Sequence, residues 1–336
     1  MSKVLCFGEL LMRLSPQLGG EWIRQNAMPV FIGGAELNAA TALAKWNVPV
    51  AYCTALPDHY LSKEIIAFVQ SKGIDTNKIQ FSGSRVGTYY LPQGADLKNA
   101  GVIYDRAYSS FWELKPGQLP WDEILDEVTW FNFSAISPAL NENVAAVCLE
   151  GAKAATAKGI TVSIDLNYRA KLWQYGKAPH EVMPALVEQC DVIMGNVWAE
   201  EKMLGIPVAG DLADEKEAYL EQSQKTSEAI IKQFPKCRQV ANTFRFDAGQ
   251  GVRYYATLYN GEELYVAPEQ HTQTVLDKVG SGDTFMAGLI YGNYHQHSPQ
   301  TTIDFAAAAA FNKLFIKGDA TTSTVEEIKK GFLNYA

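Results

Sequence analysis

Nine consecutive residues, Asp277-Lys278-Val279-Gly280-Ser281-Gly282-Asp283-Thr284-Phe285, combine types that can do chemistry. Gly280 and Gly282 flank Ser281, and residues without Cβ let a backbone turn tightly and aim several N–H groups at one point. The apolar run 285–291 follows at once and reads as a helix. A helix start carries N–H groups without intrahelical partners and the positive end of the macrodipole. Gly280, Ser281 and Gly282 are therefore expected to form an anion hole. Asp283 stands inside it. A carboxylate in that position suits taking a proton from a hydroxyl that attacks a phosphoryl group. The alternative is a turn with an N-capping aspartate and no chemistry.

Other polar groups fall where a ligand could meet them. Asp165-Leu166-Asn167-Tyr168-Arg169 follows the apolar run 161–164, and Arg169 could clamp a carboxylate or phosphate with its fork of donors. A loop ion pair with Asp165 would use the same residues. Gly33-Gly34 precedes a helix that begins near Glu36, with Asn38 one turn in; this close-approach backbone suits sugar hydroxyls, or is a plain turn. Tyr104 and Arg106 share a face if their stretch is a strand, because side chains alternate with period two. Tyr89 lies in the neighbouring candidate strand, 86–91. Tyrosines with a cation suit a polyhydroxylated acid, or are aromatics packing on a core. His295 and His297 sit beside Ser298-Pro299 and read as a solvated loop. There is no G-x-x-x-x-G-K-[ST], and no G-x-G-x-x-G follows the first strand, so a nucleotide would need the cradle at 279–283.

These groups need elements to position them. Short β-rich apolar runs at 4–7, 50–54, 130–134, 161–165, 192–195 and 239–243 alternate with helical patterns at 37–46, 62–72, 143–158 and 183–188 and within 214–233. That rhythm predicts an α/β fold, a mostly parallel central sheet with helices on both faces. Two segments, about 13–32 and 84–111, show turn signals and alternation instead, and are expected to form a discontinuous β-sheet lid on a single domain spanning 1–336. The chain of 336 residues is 47% hydrophobic and carries a net charge of −8 without a Lys/Arg-rich run, which argues against nucleic acid as partner. No window approaches a membrane span, the five cysteines are dispersed, and the N-terminus reads as a strand, so a soluble cytoplasmic protein is expected. A lid with open edges favours a homo-oligomer.

Gly33-Gly34 near the start and Gly280-Ser281-Gly282-Asp283 near the end resemble the paired motifs of the ribokinase-like (PfkB-type) sugar kinases, and the resemblance covers essentially the whole chain. It implies ATP as donor, Mg²⁺ as helper and a monovalent cation as an optional further ion. It also implies Asp283 as general base and the N–H groups of Gly280, Ser281 and Gly282 as the phosphoryl cradle. Within that family the chain looks most like the 2-keto-3-deoxygluconate kinases, on the segments at 8–16, 103–106, 165–169 and 317–319 and on Val279-Gly280. That likeness places Gly34, Tyr89, Tyr104, Arg106 and Arg169 around a sugar acid, with Asp319 closing the site. One position departs: the family usually has Asn-x-x-Glu or Asp after a mid-chain strand, whereas Ala199 stands here after Asn196. Glu200 lies one residue, about 100° of helix, further on and is not expected to substitute. No metal ligand is assigned.

Overall fold

The computed structural model describes residues 2–17, 19–92, 101–248 and 251–335. Its central sheet runs in the order Leu264–Val266, Gly251–Tyr259, Gln239–Ala248, Val192–Gly195, Thr161–Asp165, Val128–Ser134, Lys3–Phe7, Val50–Cys53. Strands from Gln239–Ala248 to Val50–Cys53 are all parallel. Parallel strands covered on both faces should be apolar on both, and Val4, Leu5, Cys6 and Phe7 are all fully buried. Alternation then divides them. Val4 and Cys6 join a core with the helices Ala35–Lys45, Ser281–Tyr294 and Pro299–Lys313, while Leu5 and Phe7 join a second core with Glu142–Ala157 and Pro179–Val187.

The sheet departs from the sequence expectation at one edge. Gln239–Ala248 runs five residues beyond 243 and pairs antiparallel with Gly251–Tyr259, from Val240 opposite Tyr259 to Ala248 opposite Gly251. Leu264–Val266 and Gln270–Thr272 add to the same antiparallel edge. The helix assumed after Asn196 runs from Val197 to Leu204, and Asn196 caps it by accepting the Ala199 N–H at 3.0 Å. His295, exposed, and His297, half-buried, lie in the turn after the helix Ser281–Tyr294 as expected, with both rings against Tyr291. Among the described residues no helix is long and apolar enough to cross a membrane.

A separate four-stranded sheet, in the order Val30–Gly33, Leu11–Leu14, Gly87–Tyr90, Ile103–Asp105, covers the carboxyl ends of the main strands. Both expected lid segments contribute to it; residues 18 and 93–100 of those ranges lie outside the described residues. Leu11, Tyr89, Leu91 and Val102 form its small apolar core together with Val279 of the glycine-rich turn.

The helix Ser281–Tyr294 is buried around most of its circumference, against Pro299–Lys313 and Ala35–Lys45. Small residues permit this. A Cβ on Gly288 would fall 2.5 Å from Ala306 Cα, and one on Gly292 would fall 2.5 Å from Thr302 Oγ1. Gly331, in the helix Val325–Tyr335, faces open space by comparison, with Asn312 Nδ2 at 4.0 Å. The same substitution should therefore act with opposite signs. Gly331→Ala should stabilise by about 0.5–1 kcal/mol through helix propensity. Gly288→Ala should lose about 1–2 kcal/mol net, because overpacking against backbone outweighs that gain. Urea denaturation of both variants checks the pair, and stabilisation by Gly288→Ala would show that the helix contact is looser than these distances state.

Candidate active site

A cavity of about 630 Å³ lies between the lid and the carboxyl ends of the parallel strands. Ligands of open parallel sheets bind at these ends, near the point where strand order reverses. Here Lys3–Phe7 is that point, with Val50–Cys53 on one side and Val128–Ser134 on the other. The lid contributes Leu11, Tyr89, Tyr104 and Arg106 to the wall, the strand exits contribute Asp165, Arg169, Asn196 and Thr243, and residues 279–283 complete it.

Gly280 makes the helix start possible. Its φ of 79° is left-handed, and a Cβ there would sit 1.7 Å from the Asp319 carbonyl oxygen, so no side chain fits. The first bond of the helix runs from the Thr284 N–H to the Gly280 carbonyl. The N–H groups of Ser281, Gly282 and Asp283 thus have no helical acceptor and sit at the cavity wall. Ser281 contributes backbone only, because its hydroxyl donates to the Ala310 carbonyl at 2.9 Å. That wall can hold an anion.

Three carboxyls surround this point, and all are held above their usual range. Asp283 is pushed up to about 7, chiefly by burial, with the nearby Asp165 and Glu36 adding to the rise. Asn38 opposes the rise by donating its Nδ2 to Asp283 Oδ2 at 2.7 Å. Burial likewise lifts Glu36 to about 7, although it accepts from both the backbone N–H and the hydroxyl of Ser134. Asp165 is lifted by burial to about 6. A carboxyl that titrates near neutrality beside a hydroxyl can accept its proton, and the N–H groups of the same turn can hold the charge that develops.

The residues expected to bind a sugar acid divide into two groups. Gly34, Asn38, Tyr89, Tyr104, Arg106 and Arg169 all line the cavity. Gly34 has a φ of 134°, and a Cβ there would lie 2.3 Å from the Glu9 carbonyl oxygen. Tyr89 and Tyr104 are directly opposed across the lid strands. Arg106 is buried and aligned by Glu9, which accepts its Nε at 2.6 Å. Arg169 donates to the Tyr168 carbonyl at 2.9 Å. Asp319 stands apart: it lies behind the wall, ion-paired with Arg13 at 2.8 Å and accepting the Tyr89 hydroxyl at 3.2 Å. It meets the site through the Tyr89 hydroxyl and through its backbone carbonyl, which lies against Gly280.

Sequence reasoning missed Arg13, Glu9 and Glu36, all buried and all tied to the residues above. Glu9 and Arg13 are polar residues interrupting apolar runs, a signal that could have singled them out. Glu200 behaves as the offset at Ala199 implied. It is fully buried away from the cavity, and burial raises it to about 8 against the opposing pull of the Asn242 side chain. Among the described residues no group of three or more His, Cys, Asp or Glu side chains is placed to hold a metal ion.

The raised carboxyls predict a pH dependence of stability. A carboxyl with a raised folded pKa favours folding fully below its unfolded pKa near 4, and that contribution is lost as pH rises through about 6–7. Asp283→Asn should therefore stabilise the unliganded protein at pH 8 by about 2–4 kcal/mol, with the gain shrinking toward pH 4. Thermal denaturation across this range tests it; a variant less stable than wild type at pH 8 would mean that Asp283 is held ionised by its neighbours.

Known proteins share this architecture. The chain matches the pfkB family carbohydrate kinase profile over residues 1–324. A solved 2-dehydro-3-deoxygluconokinase from Thermotoga maritima is 34% identical with a TM-score of 0.88, covering 99% of this chain and 100% of that one. A 2-dehydro-3-deoxygalactonokinase from Haloferax volcanii is 28% identical over 332 residues, 98% of this chain and 96% of its own length. A 2-dehydro-3-deoxygluconokinase from Dickeya dadantii is 25% identical over 297 residues, 85% of this chain and 86% of its own. With the glycine-rich helix start, the buried aspartate and the lidded parallel sheet in place, the chain belongs to the pfkB family of carbohydrate kinases.

Proposed function

We propose that this kinase transfers the γ-phosphoryl group of ATP to the primary hydroxyl of a six-carbon 2-keto-3-deoxy sugar acid, 2-keto-3-deoxy-D-gluconate, giving its 6-phosphate. The observation that carries this reading is the juxtaposition of Asp283 with the acceptor-free N–H groups of the same helix turn, in a cavity that also holds Arg106 and Arg169. Asp283 accepts the proton of the attacking hydroxyl. Asn38 orients the Asp283 carboxylate from the other side. The N–H groups of Gly280, Ser281 and Gly282, joined by that of Asp283, face the transferring group, where preorganised donors stabilise the charge that grows in the transition state.

The acid end of the substrate needs a cation, and two arginines line the cavity for it. Glu9 fixes one edge of Arg106, so the guanidinium is preoriented before substrate arrives. Tyr104 and the Gly34 backbone meet the sugar hydroxyls. Relatives named for both the glucono and galactono acids fit a pocket that reads the carboxylate first and the C4 configuration second. Mg²⁺ fits the oxygen donors present, of which Asp165 faces the cavity; it prefers phosphate and water to a protein cage. When bound it would neutralise charge on the phosphates. The exposed Val30 and Ile103 on the two outer lid strands suit lid-to-lid pairing in a homo-oligomer.

Turnover assays coupled to ADP release, with Mg-ATP against 2-keto-3-deoxygluconate, its C4 epimer, fructose, ribose and gluconate, test the assignment. Strong preference for the keto-deoxy acids is expected. Preference for a neutral sugar would overturn the acid pocket, and binding of the acid without turnover would leave a non-catalytic sugar-acid-binding protein. Asp283→Asn should lower kcat by about 10²–10⁴-fold while the acid still binds; wild-type kcat would remove the base assignment. Arg169→Ala and Arg106→Ala should raise KM for the acid by about tenfold or more, with KM for ATP little changed. Equal rises for both substrates would remove the carboxylate argument.

A further inference from the structure

Lys313 is fully buried at the last turn of the helix Pro299–Lys313. Its Nζ donates to the Ile316 carbonyl at 2.9 Å. Its stem passes beneath the anion-binding turn, with Cε 3.6 Å from the point a Cβ on Gly280 would occupy. Two loops meet here. The N–H groups of Leu276 and Asp277 donate to the Leu314 carbonyl at 2.8 and 3.3 Å, and Gly318 N–H donates to Asp277 Oδ2 at 3.2 Å. Asp277 also accepts the Val279 N–H at 3.0 Å, one residue before Gly280. Arg13 closes the set, 3.0 Å from Asp277 and 2.8 Å from Asp319.

A buried ammonium is unfavourable unless carboxylates compensate it, and a leucine or methionine would fill this volume without that penalty. The charge itself must therefore matter. Asp277 and Asp319 both favour it, and the Lys313 pKa, lowered by burial to about 8, still leaves it charged at neutral pH. Two carboxylates, the half-buried Asp277 and the buried Asp319, pair with the buried Arg13 and lie close enough to favour the charge on the buried Lys313. Carboxylates with loop carbonyls also form the kind of oxygen-rich surrounding that suits a dissociable monovalent cation.

We propose that the Lys313 ammonium is a tethered monovalent cation that locks the turn before Gly280 in its anion-binding shape, so that this kinase works without K⁺ or Na⁺. The proposal rests on the kinase reading for its activity readout, but not for its stability readout. Lys313 is a positioning residue, acting through the 276–280 and 314–319 loops rather than touching substrate.

The test compares KCl, NaCl, NH₄Cl and tetramethylammonium chloride at equal ionic strength. Wild-type melting temperature and turnover of 2-keto-3-deoxygluconate should be the same in all four salts. Lys313→Ala, which opens room for an ion, should melt lower and turn over about tenfold or more slowly in tetramethylammonium. KCl or NH₄Cl should restore part of both. Lys313→Met fills the same space with apolar atoms and should not be restored. Activation of the wild type by K⁺, or indifference of Lys313→Ala to the salt, would overturn the proposal. If neither variant folds, the wild-type salt series decides it alone. If no sugar is phosphorylated, the melting series still decides it, so failure of the kinase reading and failure of the tethered cation are distinguishable.

Discussion

Burying the start of the helix Ser281–Tyr294 imposes the constraint on which the rest of the molecule depends. Three N–H groups there lack helical acceptors, and Asp283 brings a carboxyl into the same turn. Taken alone, burial disfavours both, the N–H groups because they are unpaired and the carboxylate because it is desolvated. The surroundings answer each in turn. Asn38 donates to the carboxyl, the cavity leaves the N–H groups open to a ligand, and the left-handed Gly280 lets the Asp319 backbone press against the turn. Close helix packing through Gly288 and Ala306 then fixes where the turn sits relative to the sheet.

That turn is also where the lid attaches. Val279 packs with Leu11, Tyr89, Leu91 and Val102, so the residue before Gly280 belongs to the lid's apolar core. A second link is ionic: Arg13 from the lid strand Leu11–Leu14 reaches both Asp277 and Asp319, its guanidinium lying over the Phe31 ring at 4.3 Å. Tyr89 adds a hydrogen bond to Asp319. Displacing the lid would break apolar and charged contacts together, and exposing either carboxylate without its cation is costly. The cavity walls and the glycine-rich turn are therefore mechanically one unit.

Electrostatics divides the same region into two zones. Around Asp283, Asp165 and Glu36, carboxyls crowd together with little compensating charge, and their pKa values rise toward neutrality. Behind the turn, Asp277 and Asp319 face Arg13 and Lys313 in close balance. The first arrangement is unfavourable for stability and useful for proton transfer, as buried titratable groups at working sites often are. The second holds the backbone that the first requires.

The alternation of apolar runs with helical periods determined the parallel sheet and its order of elements, because burial on both faces leaves a direct imprint on each strand. Gly280-Ser281-Gly282-Asp283 was legible for the same reason: a left-handed turn, a helix start and a misplaced carboxylate are all local. Local rules also showed that Glu200 would not face the site, since one residue of helix is a fixed rotation. The antiparallel edge beyond 243 was not legible, because strand pairing depends on partners far along the chain. Nor were the roles of Arg13, Glu9 and Lys313, whose partners lie 264, 97 and 3 residues away yet meet only in a folded interior. Asp319 shows the difference most clearly. The sequence determined that an acid stands beside Gly318, but tertiary packing decided that it faces Arg13 and Tyr89 rather than the cavity, because a buried carboxylate goes where cations and donors converge.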